Sequence, residues 1–350
     1  MVTIADGSEG VGPEIAVHTL LGDDVLQALG RKQSHGDLGR VPVAVLAAAP
    51  PWRPLAGPGS GTRRPVIALP DTGVEPHRWL DGPPDDPVVV DAAERGWLPP
   101  PDLPDSSVFR GHATFIAGVI RQLAPDCRIL SVQVMGNDGT VQSADSLRAL
   151  GWLAAEAESG DPDRFVDVVC VAYGYTPEQD QTGDTDETSH RKKLRAVLER
   201  LVQAGVLIVA SAGNGGTDAA TYPAAFAGDL ALSGAVVSVG ATNPDGISYA
   251  HYSNFGSWVH YQAVGSGVIS TMPSFDGPRT SPDQLFFPAA KGVTIDPDNF
   301  SDGFARWSGT SFSAATIAGL LGQALAGDSA TGADRLSQAL TAIRSYRHQA

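Results

Sequence analysis

The sequence predicts a doubly wound α/β fold, a mainly parallel sheet with helices on both faces. Three observations carry that expectation. Short apolar runs rich in β-formers alternate with segments of helical apolar spacing over most of the chain. The strand-like runs are almost continuously hydrophobic, as strands covered on both faces must be. A chain of 350 residues with 42% hydrophobic content also holds enough apolar surface for one large core with appendages.

Along the chain, residues 13–29 (PEIAVHTLLGDDVLQAL) have helical spacing, with Gly30 as a nearby stop signal. VPVAVLAAA at 41–49 reads as a strand. The next run, PPWRPLAGPGSGTRRP at 50–65, is too rich in Pro and Gly for regular structure and reads as a linker. Residues 1–61 are therefore assigned to an N-terminal extension, and 62–350 to a single domain. Within that domain strands are expected at VIAL, RILSVQV, VDVVCVAYG, VLIVASAG and VVSVGAT, and helices at HATFIAGVIRQLA, SLRALGWLAAEA and RKKLRAVLERLVQAG. Residues 274–303 break the rhythm and read as a long irregular insertion before a final helix that begins near Ser311.

Composition removes several functional classes. With 24 Lys and Arg against 39 Asp and Glu, the formal charge of -15 repels phosphate backbones and anionic lipid headgroups, so neither nucleic acid nor a membrane surface is an expected partner. The same acidity serves solubility. Cys127 and Cys170 both lie in apolar runs and behave there as small hydrophobes, without a disulfide framework. The opening MVTIADGSEGVGPE lacks a basic region and an apolar stretch, and no segment reaches transmembrane length. The expected location is cytoplasmic, or secreted if a leader is missing from this sequence.

An open parallel sheet presents functional groups at the carboxyl ends of its strands. There the sequence places Asp71 after VIAL, Asn214 after VLIVASAG, His112 at the start of one helix and Ser311 at the start of another. Taken singly, each has an ordinary reading: a turn-forming Asp, a packed His, a Gly-Asn-Gly turn and an N-capping Ser. Together they supply what amide hydrolysis requires: a hydroxyl nucleophile, an imidazole base held by a carboxylate, and donors for an oxyanion. No metal is needed for that chemistry.

VIALPDTGV, GHATFIAG, ASAGNGG and SGTSFSAATIAG resemble the four signature segments of the subtilisin-like (subtilase) serine protease family, over about residues 62–345. The order Asp, His, Ser is that family's known arrangement. The resemblance implies a serine endopeptidase with Asp71, His112 and Ser311 as its triad and Asn214 as the oxyanion-hole donor. It implies a peptide or protein substrate bound as an extended strand between Gly136-Asn137-Asp138-Gly139-Thr140 and Val171-Ala172-Tyr173-Gly174. Ala172, Tyr173, Gly174 and the Ala212–Gly215 turn, Gly213 included, would line the pocket for the residue before the scissile bond. With neither acid nor base there, neutral or apolar residues are expected at that position.

Some features depart from the family pattern. Ala113 stands where Gly commonly follows the histidine, and Ala315 stands where relatives often carry Pro. Two further readings therefore stay open: a transpeptidase or macrocyclase that passes the acyl group to an amine, and a silent peptide-binding module. The 274–303 insertion reads as a surface loop in preference to a lid. His77 matches a structural histidine of relatives, and the remaining histidines read as surface or packing residues. The acidic stretches 177–190 and 295–302 offer carboxylates for a structural Ca²⁺ of the kind many relatives bind, but lack the pattern of a recognised calcium loop. Residues 1–60 are too short and too weakly patterned for the folded prodomain of family precursors.

Overall fold

The computed structural model describes residues 40–53, 63–105, 108–177, 185–232, 234–275, 284–287, 290–293, 299–326 and 333–346. Its centre is a seven-stranded, all-parallel sheet in the order β3-β4-β2-β5-β6-β7-β8. The strands are β2 (Val66–Asp71), β3 (Val89–Asp91), β4 (Arg128–Gln133), β5 (Val168–Val171), β6 (Leu207–Ser211), β7 (Val236–Thr242) and β8 (Tyr261–Val264). Four helices cross between or flank them: α1 (His112–Leu123), α2 (Ser143–Glu158), α3 (Thr185–Gln203) and α4 (Thr310–Ala326).

The period of two along each strand divides the side chains between two cores. In β2, Ile67 and Leu69 join a core with Phe115 and Ile116 of α1 and Phe312 and Ile317 of α4. Val66 and Ala68 enter the opposite core, with Leu150 and Leu153 of α2 and Leu194 and Leu198 of α3. β5 and β6 repeat this division, with Cys170 and Val209 on the first side and Val169 and Ile208 on the second. Both faces of the sheet are thus covered, as the expected fold class requires, and the runs read as strands from the sequence are β2, β4, β5, β6 and β7.

A smaller antiparallel sheet, β1-β12-β9, lies beside the first core. It joins β1 (Val41–Pro42), β9 (Val268–Thr271) and β12 (Phe304–Trp307). The strand expected over 41–49 is thus only two residues long. Pro42 brings no N–H to a ladder, Val43 N–H still reaches Phe304 O at 3.2 Å, and beyond it the run turns to solvent, with Leu46 99% exposed. The 274–303 insertion contains a hairpin of β10 (Gln284–Phe287) and β11 (Ala290–Val293) instead of being wholly irregular. The helix that holds Ser311 is not the last one, since α5 (Ala333–Ala342) follows it. The expected helix at 13–29 lies outside the described residues. Cys127 and Cys170 are buried in the first core and form no disulfide, and desolvation, with Asp71 adding to it, pushes the Cys170 thiol far above its ordinary range.

Candidate active site

The carboxyl ends of β2, β5 and β6 converge with the N-termini of α1 and α4. Asp71 is the last residue of β2, and its backbone carbonyl accepts from Val134 N–H at 2.9 Å and Met135 N–H at 3.1 Å. Its carboxylate accepts Thr72 N–H at 2.7 Å and faces His112 Nδ1, at 2.9 Å from Oδ1 and 3.0 Å from Oδ2. The Thr72 hydroxyl oxygen accepts Ala113 N–H at 3.1 Å, so the residue beside the acid ties down the first turn of α1. Asp71 and His112 are 1% and 0% exposed.

His112 is the first residue of α1, preceded by Gly111 at φ 85°. Only glycine fits that position, since a Cβ would stand 2.5 Å from both Met272 Sδ and the Pro273 ring. The imidazole lies in an aromatic nest, with ring centroids 5.6 Å from Trp307, 5.7 Å from Phe312 and 6.2 Å from Phe109.

Ser311 occupies the first turn of α4, next to the Phe312 that packs on the His112 ring. Its hydroxyl donates to the Ala172 carbonyl at 3.0 Å, just past the end of β5. Ala113 and Ala315 are both fully buried, and α4 runs unbroken through Ala315.

Asn214 is held from one side only. Its Oδ1 accepts Thr310 N–H at 2.9 Å and the Thr310 hydroxyl at 3.0 Å, while Thr310 Oγ1 accepts Gly213 N–H at 3.1 Å. Fixing the oxygen fixes the amide, and Asn214 Nδ2 is buried without a hydrogen-bond partner. A donor left unsatisfied in a buried site costs about 1–3 kcal/mol, which makes it a place to look for function. The turn around it is braced by Asn254, whose Oδ1 accepts Gly215 N–H at 2.8 Å and whose Nδ2 donates to the Ala212 carbonyl at 3.0 Å. Thr310 lies inside the signature segment SGTSFSAATIAG without a role assigned to it there, and Asn254 carries no motif that marks it in the sequence.

The two stretches read as substrate-binding edges differ in how much backbone they leave open. Gly136 N–H donates to Thr140 O and Gly139 N–H to Gly136 O, while Asn137 gives its N–H to Pro104 O and takes Phe109 N–H on its carbonyl. Asp138 Oδ1 closes this turn by accepting Thr140 N–H at 2.9 Å. Gly136 and Asn137 are thus committed to the turn. Opposite, Ala172 and Tyr173 lie past the end of β5, and the Tyr173 phenol meets Ser146 Oγ at 3.0 Å, with burial raising its pKa. Gly139, Tyr173 and Gly174 share a small, partly open cleft with Tyr175, His190 and Tyr222. His190, read as a surface or packing residue, in fact lines this cleft, its ring 5.2 Å from that of Tyr175.

His77 lies apart from the acid-imidazole pair. Its Nδ1 accepts Trp79 N–H at 3.0 Å, its ring packs edge-on to Phe304 at 4.9 Å, and burial holds its pKa below the ordinary imidazole value. The described residues contain no group of three or more His, Cys, Asp or Glu placed to hold a metal ion, and no helix among them is long and apolar enough to cross a membrane.

The site thus places an acid-imidazole pair and a helix-borne serine at the carboxyl end of a parallel sheet covered on both faces. Comparison with known proteins gives the class. Residues 62–342 match the subtilase peptidase family. The chain is 27% identical to Subtilisin BL of Lederbergia lenta over 61% of this chain and 68% of that protein. It is 28% identical to the minor extracellular protease Epr of Bacillus subtilis (strain 168) over 46% of this chain and 22% of Epr. A cold-adapted subtilisin-like serine proteinase of known structure shares the fold, with a TM-score of 0.51 and 21% identity, covering 78% of this chain and 79% of the other. The chain belongs to the subtilase family. It spans about a fifth of Epr and about two thirds of Subtilisin BL.

Proposed function

We propose that the chain is a serine endopeptidase in which Ser311 is the nucleophile, His112 the general base, Asp71 its orienting carboxylate and Asn214 an oxyanion donor. The observation that carries this reading is Asn214: its oxygen is tied to Thr310, one residue before the serine, and its Nδ2–H is buried and unspent. A carboxamide fixed in this way costs no reorganisation when negative charge develops beside it.

In the reaction, the Ser311 hydroxyl passes its proton to His112 Nε2 as its oxygen bonds to the substrate carbonyl carbon. Asp71 holds the proton on Nδ1 and stabilises the imidazolium. The negative carbonyl oxygen takes hydrogen bonds from Asn214 Nδ2 and from the backbone N–H of Ser311 at the positive end of α4. Collapse expels the amine, which takes the proton from His112, and water then repeats the sequence on the acyl-enzyme. In the resting arrangement the Ser311 proton is parked on the Ala172 carbonyl. For attack, the hydroxyl gives up that bond and passes its proton to His112.

The substrate is a peptide or protein segment in extended form, lying between the Gly136–Thr140 turn on one side and Ala172–Gly174 on the other. The cleft beside Tyr173 and Tyr175 then takes a side chain upstream of the scissile bond. Relatives named as extracellular proteases support work outside the cell. Incubation with a peptide library tests this function: wild type should cleave internal bonds after neutral or apolar residues, and Ser311→Ala none. A library cut chiefly after Arg or Lys would overturn the specificity, and equal cleavage by Ser311→Ala would overturn the nucleophile.

A further inference from the structure

Residues 40–53 reach the site without a part in the reaction described above. β1 pairs with β12 in the register Val41↔Arg306 and Pro42↔Ala305, and β12 leads directly into the turn that carries Ser311. Arg40, at the head of this arm, makes two kinds of contact. Its Nη1 donates to the Arg110 carbonyl at 2.9 Å, two residues before His112. Its guanidinium carbon also lies 5.1 Å from the ring centroids of both Trp307 and Phe300, within cation–π range. Trp307 is the ring packed edge-on against His112.

The far end of the arm is anchored to the same helix. Arg121 of α1 is 2% exposed and donates to the carbonyls of Pro50, at 2.6 Å, and Pro51, at 3.2 Å. Trp52 lies 3.7 Å from the Arg64 guanidinium and 5.1 Å from that of Arg121. Without the arm, this buried cation on α1 would keep only the carbonyls of Trp79 and Pro125 among its four acceptors, an unfavourable change. The arm is therefore part of the framework of α1.

We infer that Arg40 is a positioning residue for the hydrolytic site: it bridges the segment that carries the base to the segment that carries the nucleophile and fixes their separation. This rests on the endopeptidase reading. A guanidinium suits the role because it is planar, always charged, and able to donate in its plane while its face lies on aromatic rings. The two segments it joins, Arg110-Gly111 and Trp307-Ser308-Gly309, are not paired with each other by any strand ladder. Small errors in the separation of base and nucleophile are costly, since a displacement of about 1 Å can lower a rate by about 10².

The test compares kcat, KM and melting temperature for the full chain as wild type, Arg40→Ala, Arg40→Lys and Arg40→Met, on one peptide substrate at one pH. Arg40→Ala should lower kcat by about 10- to 100-fold. KM should stay within about twofold, because substrate contacts are unchanged. Arg40→Lys should recover most of the loss, since an ammonium keeps both the charge over Trp307 and a donor for Arg110 O. Arg40→Met, which only fills the space, should not. If Arg40→Ala does not fold, the Lys and Met variants carry the comparison. Wild-type kcat in Arg40→Ala, a loss confined to KM, or recovery by Met equal to that by Lys would overturn the bridge while leaving the endopeptidase reading intact. A folded wild type without hydrolysis would overturn both.

Discussion

The two ends of the parallel sheet use buried polar groups in opposite ways. At the amino ends, charge is matched. Asp167, with a fully buried side chain, takes two 2.7 Å bonds from Arg63 and a third, at 2.8 Å, from Val66 N–H. Asp86 likewise gathers Arg64 and Arg128 around the starts of β2 and β4. At the carboxyl ends the bonds fix direction instead: Asp71 orients His112, Thr310 orients Asn214, and Asn214 Nδ2 is left unspent. One end of the same strands serves stability, and the other accepts an unsatisfied donor that a reacting substrate would satisfy.

That contrast breaks most visibly at its carboxyl end. Asn214→Ala should lower kcat by about 10²–10³ with little change in KM. Its melting temperature should fall only modestly, because the unpaired Nδ2–H is removed together with the Oδ1 that accepts from Thr310. Steady-state kinetics beside a melting curve would show this, and a variant that melts much earlier would mean that Asn214 is structural. At the amino end the signs reverse. Asp167→Ala leaves Arg63 and Val66 N–H without their acceptor and should cost about 3 kcal/mol of stability. Urea unfolding measures that loss, and kcat per folded molecule should stay at the wild-type value.

The smallest effect concerns pH. Hydrogen bonds from Arg64 lead the causes that hold the Asp86 carboxyl below the ordinary carboxylate range. A carboxyl depressed in the folded state adds stability above its unfolded pKa and loses it as pH falls through the folded value. Wild type should therefore lose stability toward acid more steeply than Asp86→Asn, as denaturant midpoints across the acid range would show. Identical slopes would exclude a contribution from this cluster.

The sequence reading was strongest where the signal is repetitive. β2 and β4 to β7 are apolar runs long enough to be buried on both sides, and their spacing by helical segments defines the fold class. β3, β8 and β12 carry no such signal because they are only three or four residues long, and a charged Arg306 interrupts the apolar run of β12. Asp71, His112, Asn214 and Ser311 were legible as a group because each stands at an element boundary, and the structure gathers them at one end of the sheet. Their supports were not. Thr310, Asn254 and Arg40 act through contacts with residues far away in sequence, 70 positions in the case of Arg40 and Arg110. Neither periodicity nor composition encodes such pairs.

The central claim is that Ser311 is a nucleophile activated by His112, and a fluorophosphonate probe that forms a covalent bond with an activated serine hydroxyl tests it most directly. Wild type should be labelled at Ser311, as peptide mapping would show, and Ser311→Ala should not be labelled. His112→Ala should label slower by about 10³ or more. Labelling of Ser311→Ala at the wild-type rate, or a folded wild type that the probe leaves untouched, would contradict the account.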